Sequence, residues 1–198
     1  LSISSDGTGF GYNSGWKPSS ININGGTVTS GTNHIFDIGG GVNMTGGLLD
    51  STSGSFQWKG TALNTLASAN TATIAGGLNL RTDFGTFNQT INVADGAAAT
   101  DLLISANITQ ASGNAGGITK TGAGTMTLSG NSTYTGATLF TATSTTDNNN
   151  SNLFVRLGVD DALPVTTVLT IDGGNGHDTI VALATGAGRA GVAVIEIL

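Results

Sequence analysis

One six-residue phrase constrains this chain more than anything else in it: apolar, polar, apolar, polar, Gly, Gly. It appears as Ile21-Asn22-Ile23-Asn24-Gly25-Gly26, as Val42-Asn43-Met44-Thr45-Gly46-Gly47 and as Leu169-Thr170-Ile171-Asp172-Gly173-Gly174. Looser copies are Ile91-Asn92-Val93-Ala94-Asp95-Gly96 and Met126-Thr127-Leu128-Ser129-Gly130-Asn131. Alternation of apolar and polar residues describes a short strand with one buried face, and the glycines or Asn supply a corner that other residues enter only at a cost. The starts of the five phrases lie 21, 49, 35 and 43 residues apart. The first, second and fourth gaps sit near one or two multiples of about 21–24, a repeat length that suggests a solenoid whose turns bury their apolar faces against one another.

Composition narrows the choice. Of 198 residues, 32 are Gly, 31 Thr, 18 Asn and 17 Ser, while a single Glu and three Lys cannot furnish the exposed faces of helices. A hydrophobic share of 38 % in short alternating runs sets the chain apart from a low-complexity linker. Two prolines in the whole chain suit a sheet in which every internal strand donates its N–H groups. The reading is all-β, a parallel β-helix of roughly nine turns, about 43 Å long at a strand spacing of roughly 4.8 Å. The competing architecture is an antiparallel sandwich, which the scarcity of Asn-Gly hairpin signals disfavours. We treat residues 1–198 as a single solenoid domain. Within it, 1–20 form an N-terminal cap built on Phe10, Tyr12 and Trp16, 141–152 an inserted loop, and 192–198 a terminal apolar strand.

Charge excludes some functions. Six basic residues against twelve acidic ones, net −6, leave nothing to grip a phosphate backbone, so nucleic acid is not an expected partner. No apolar stretch approaches the roughly 18 residues that span a bilayer as a helix. Leu1 is not an initiator Met and no basic-then-apolar leader follows it, as expected of a mature chain or a piece of a longer one. The absence of Cys suits a chain that crosses membranes unfolded.

Residues 118–139, Ile-Thr-Lys-Thr-Gly-Ala-Gly-Thr-Met-Thr-Leu-Ser-Gly-Asn-Ser-Thr-Tyr-Thr-Gly-Ala-Thr-Leu, closely resemble the autotransporter-associated β-strand repeat of bacterial surface-protein passengers. Residues 93–102 and 157–164 look like the segments that flank it, so the resemblance covers about 80 residues; residues 1–80 match only in style. The resemblance implies a right-handed parallel β-helix, exported and displayed at the cell surface, with a structural or adhesive role and no catalytic residues in the repeat. Two departures stand out. Thr141 to Asn152, containing Asp147, Asn148, Asn149 and Asn150, replaces a quick passage to the next strand, and nothing resembles the membrane barrel that ends such passengers.

Several motifs look chemical. Gly186-Ala187-Gly188-Arg189-Ala190-Gly191 spells a dinucleotide fingerprint, but an apolar strand follows it where a helix is needed, so no cofactor is expected. Gly173 to Val181 fits the calcium nonapeptide pattern with Asp178 as its acid, yet one copy supplies half the ligands, and a plain corner is the expectation. Asp160-Asp161 is the one adjacent acid pair and reads as a solvated turn. His34 and His177, the two histidines, stand near no nucleophile elbow. Sugar cleavage needs acids converging on one face, and here they are scattered.

The expectation is therefore a non-enzymatic, extracellular, structural or adhesive solenoid that self-associates through Val192, Val194, Ile195, Ile197 and Leu198. The alternative is a glycan- or host-binding module whose contacts are Phe56, Trp58 and the 147–150 loop. A polysaccharide-cleaving β-helix comes third.

Overall fold

The computed structural model describes residues 2–3, 7–10, 18–31, 34–36, 41–60, 62–141, 153–173, 179–183 and 194–197. Strands follow one another around a coil. The first turn comprises β1 (Ser2–Ile3), β2 (Gly7–Phe10) and β3 (Ile21–Asn24). The second comprises β4 (Thr27–Ser30), β5 (His34–Phe36) and β6 (Val42–Thr45), and the third β7 (Leu48–Ser51), β8 (Phe56–Trp58) and β9 (Leu63–Thr65). The fourth comprises β10 (Ala72–Ala75), β11 (Gly77–Leu80) and β12 (Phe87–Val93), and the fifth β13 (Leu102–Ile104), β14 (Asn107–Gln110) and β15 (Gly116–Thr121). Three two-strand turns complete the coil: β16 (Met126–Leu128) with β17 (Thr138–Thr141), β18 (Leu153–Leu157) with β19 (Val168–Asp172), and β20 (Thr179–Leu183) with β21 (Val194–Ile197).

Each strand pairs in parallel with its equivalent one turn away, giving two eight-stranded sheets and a five-stranded third. The long sheets run β1-β4-β7-β10-β13-β16-β18-β20 and β3-β6-β9-β12-β15-β17-β19-β21; the short one is β2-β5-β8-β11-β14. This is the parallel β-helix that the phrases predict. There are eight turns among the described residues instead of roughly nine, because the pitch is not fixed. Ile118 stacks on Thr138, 20 residues later, while Thr138 stacks on Leu169, 31 later. Corners absorb the difference, as a loop can lengthen at little entropic cost without disturbing the strands it joins.

The phrases sort by sheet. Those beginning at Ile21, Val42, Ile91 and Leu169 lie on one long sheet, in β3, β6, β12 and β19, and Met126 opens β16 on the other. The 35-residue gap that fits no multiple is thus a change of face. The 43-residue gap also changes face, and its nearness to two repeats is a coincidence.

Inward side chains form files along the axis. Ile21, Val42, Leu63, Ile91, Lys120, Phe140 and Ile171 occupy one continuous register through seven turns, and the backbone pairing of Ile171 with Ile197 carries the register into β21. Val28, Leu49, Ile74, Ile104, Leu128 and Leu157 occupy another, which the backbone pairing of Leu157 with Leu183 carries into β20. On the third face Phe56 stacks on Leu78, and Trp58 on Leu80. Burial of these files supplies the driving force for stacking. Pro18 and Pro164 both fall outside strands, and no described helix is long and apolar enough to cross a membrane.

Candidate functional site

Beyond β14 the third face has no further strand among the described residues, and buried polar groups take over its work. Tyr134 is fully buried and sits at 2.6 Å from the Thr138 hydroxyl, which lies 2.9 Å from that of Thr167. The Thr167 hydroxyl donates in turn to the Gly136 carbonyl at 2.7 Å, so the chain of hydroxyls links two successive turns. Burial pushes the Tyr134 phenol well above its ordinary value, and the Thr138 hydrogen bond offsets part of that. It stays neutral and acts as a hydrogen-bonding core residue.

Lys120 is the second buried polar group of this region. Strict alternation in β15 turns Ile118 and Lys120 inward and Thr119 and Thr121 toward the surface. The ammonium group donates to the Gly122 carbonyl two residues on. Burial pushes its pKa down to about 7, against the opposing pull of the Asp101 and Asp95 carboxylates. Asp101, 5 % exposed, accepts the Gly96 N–H at 2.9 Å and the Thr125 N–H at 2.8 Å, which pins one corner onto the next.

Outward positions carry ladders. Asn43 donates to Asn22 at 2.9 Å, and Asn64 donates to Asn43 at 2.9 Å, each 21 residues apart. Asn92 continues this register and accepts from the Thr121 hydroxyl at 3.2 Å. Asn79 donates to Thr109 in the same manner on the third face. Near the 3₁₀ turn Thr82–Phe84, Arg81 makes two contacts to Asp83 and donates to Gln57 at 2.8 Å.

The residues expected to make contacts fare differently. Phe56 and Trp58 are both fully buried, which corrects their assignment to a contact surface. Their two-residue spacing does put them on one face of β8, but that face points into the coil, between β5 and β11. Val194, Ile195 and Ile197 lie in β21, paired in parallel with Val168, Leu169 and Ile171. Val192, Leu198, Asp147, Asn148, Asn149, Asn150 and Asp178 lie outside the described residues, as do His177, the 186–191 glycines and most of the 141–152 segment. Asp160 and Asp161 are exposed in a turn.

Two features escaped the sequence reading. The Asn ladder carried a signal, since Asn22 and Asn43 hold the same place in phrases 21 residues apart. Lys120 carried one too, because alternation from Ile118 places it inward, but a lysine between two threonines reads as solvated.

Residues 118–142, the stretch holding Lys120, Tyr134 and Thr138, match the passenger-associated-transport-repeat family, a family of autotransporter passenger repeats. No curated protein and no solved structure matches the chain.

Proposed function

We propose that the chain is a non-enzymatic, exported segment of a bacterial surface passenger whose work is mechanical: a rod that spaces, displays and joins. The observation carrying this reading is the inward file from Ile21 to Ile171, which continues in register through seven turns and through the stretch that matches the passenger repeat. Backbone ladders run along the axis, so a pull on the rod loads many hydrogen bonds in parallel with the coil. Low charge and a Thr/Asn-rich exterior suit adhesion by contact rather than by electrostatic steering.

The same geometry supports the joining part of this reading. Among the described residues β21 is paired on one side only, with β19. Strand addition at such an edge extends a sheet with a further turn or with a second copy of the chain. The test is electron microscopy of the purified chain and of a variant lacking 192–198, together with protease shaving of cells that produce the full-length protein. Surface cleavage and filaments lost on truncation support an exported, self-joining rod. Discrete rods about 40 Å long in both preparations would leave a displayed spacer without self-association, and a shaving-resistant intracellular pool would overturn the reading.

A further inference from the structure

The step from the fifth turn of the coil to the sixth carries far less paired strand than the step below it. Below, β15 pairs with β12 along Phe87–Asn92 and Gly116–Thr121, and β14 pairs with β11 along its whole length. Above, β15 meets β17 only from Ile118 and Thr138 to Lys120 and Phe140, and β13 meets β16 over Leu102–Ile104. The third face contributes no strand to this step among the described residues. There the Thr133 N–H reaches the Ile108 carbonyl at 2.8 Å, while the Asn131 and Thr135 N–H groups reach the side chains of Asn107 and Gln110.

Lys120 sits at this joint. Its side chain is fully buried, with Ile91 below it and Phe140 above it in the inward file. A protonated amine has three N–H donors, and among the described residues the Gly122 carbonyl is the one acceptor they meet. The neighbouring strands β12, β13, β16 and β17 carry no charged residue. The carboxylates that act on the amine, Asp101 and Asp95, belong to the corner after β12 and make no hydrogen bond to it among the described residues. Both oxygens of Asp101 are occupied, by the Gly96 and Thr125 N–H groups. A buried charge with so few partners is held against its preference for water. The side on which less paired strand has to part to admit water is that of β17.

We propose that Lys120 makes this joint a proton-operated seam: when its amine takes up a proton, β17 and the turns beyond it part locally from β15, so the rod opens here before it unfolds as a whole. Burial brings the amine's pKa down to about 7 in the closed seam, against 10.5 for an unperturbed lysine. Between those values each opening takes up one proton, so the opening constant falls about tenfold for each unit by which pH rises. Below the lower value the closed seam already carries the proton; opening is then most frequent and no longer varies with pH. The inference depends on neither export nor self-joining.

The test is residue-resolved amide hydrogen exchange by NMR on the wild-type chain and on Lys120→Met at about pH 7, 8 and 9, with intrinsic exchange rates divided out. The Ile118 and Gly136 N–H groups report on the seam, since they bond across it to the Ala137 and Gly116 carbonyls. The Val42 and Leu66 N–H groups, which join the second and third turns through the Ala62 and Met44 carbonyls, are the reference. In the wild type at about pH 7 the seam amides should open at least about tenfold more often than the reference, and their opening should fall about tenfold per pH unit. Lys120→Met should lower seam opening to the level of the reference and remove its dependence on pH. Equal protection of seam and reference in the wild type would mean global unfolding alone and would overturn the proposal. Seam opening that is indifferent to pH, or that Lys120→Met leaves unchanged, would overturn it as well. Should Lys120→Met fail to fold, the wild-type comparison of seam with reference across the three pH values decides by itself.

Discussion

Lys120 stands directly between Ile91 and Phe140 in an inward file whose other members are all apolar. A charged ammonium there is opposed by burial, and its pKa of about 7 against the ordinary 10.5 expresses that opposition. Between about pH 7 and 10.5 the unfolded chain holds a proton that the folded chain has released. Stability therefore rises with pH across this window, by at most about 1.4 kcal/mol per pH unit. The burial cost is fully present below the window and absent above it. Lys120→Met, which keeps the stem and removes the titrating group, should raise stability at neutral pH and flatten the rise. Urea midpoints of both proteins at about pH 7, 8.5 and 10 check this; a variant less stable than wild type at every pH would contradict it.

The asparagine ladder separates a central from a terminal rung. Asn43 both donates to Asn22 and accepts from Asn64, whereas Asn22 takes part in one bond of the ladder. With each such bond worth roughly 0.5–1.5 kcal/mol, Asn43→Ala should cost about twice what Asn22→Ala does. The double variant should cost less than the two losses summed, because the shared bond is counted once. Denaturant melts of the three variants provide the comparison.

Why some of this was legible in the sequence and some was not has a physical answer. The phrases at Ile21 and Val42 are read correctly because their strands have equal length and their corners equal size, so sequence spacing and spatial register coincide. Between Ile91 and Leu169 they separate: two strands on different sheets share one phrase, and corners of unequal length intervene. A period of about 21 therefore overcounts the turns. The two-residue spacing puts Phe56 and Trp58 on one face, but alternation cannot say which face is inside when large aromatics suit both a core and a sugar-binding surface.

Two glycines at corners predict very different costs. Both Gly25 and Gly76 hold positive φ, +65° and +81°, where any other L-residue pays about 1 kcal/mol or somewhat more. A Cβ on Gly25 would meet nothing within 4 Å, while one on Gly76 would fall 2.0 Å from the Ser51 carbonyl oxygen. Ser51 cannot yield easily, since its hydroxyl accepts the Gly77 N–H at 2.8 Å and lies 3.1 Å from the Gly54 and Gly77 carbonyls. Gly25→Ala should thus lose about 1 kcal/mol, and Gly76→Ala more than about 3 kcal/mol. Thermal melts that rank the two the other way would show that the corner at Gly76 is freer to shift than its packing implies.

Tyr134 offers the sharpest test of the hydroxyl chain that replaces the third sheet. Tyr134→Phe keeps the ring, and with it nearly all of the buried apolar volume, so the cavity penalty that dominates most core substitutions is absent. What is lost is the 2.6 Å contact to Thr138. Thr138 retains its contact to Thr167, and Thr167 its bond to Gly136, so one polar group is weakened rather than stranded. The expected loss is about 0.5–1.5 kcal/mol, the net worth of one hydrogen bond whose partner is not stranded. Thr138→Val breaks both neighbours' contacts at once and leaves the Tyr134 hydroxyl buried without a partner; it should cost more than Tyr134→Phe. In the Tyr134→Phe background, where that hydroxyl is already gone, Thr138→Val should cost distinctly less. A double-mutant cycle by urea unfolding measures this coupling, and strict additivity would mean that the hydroxyls act as independent groups rather than as a chain joining two turns.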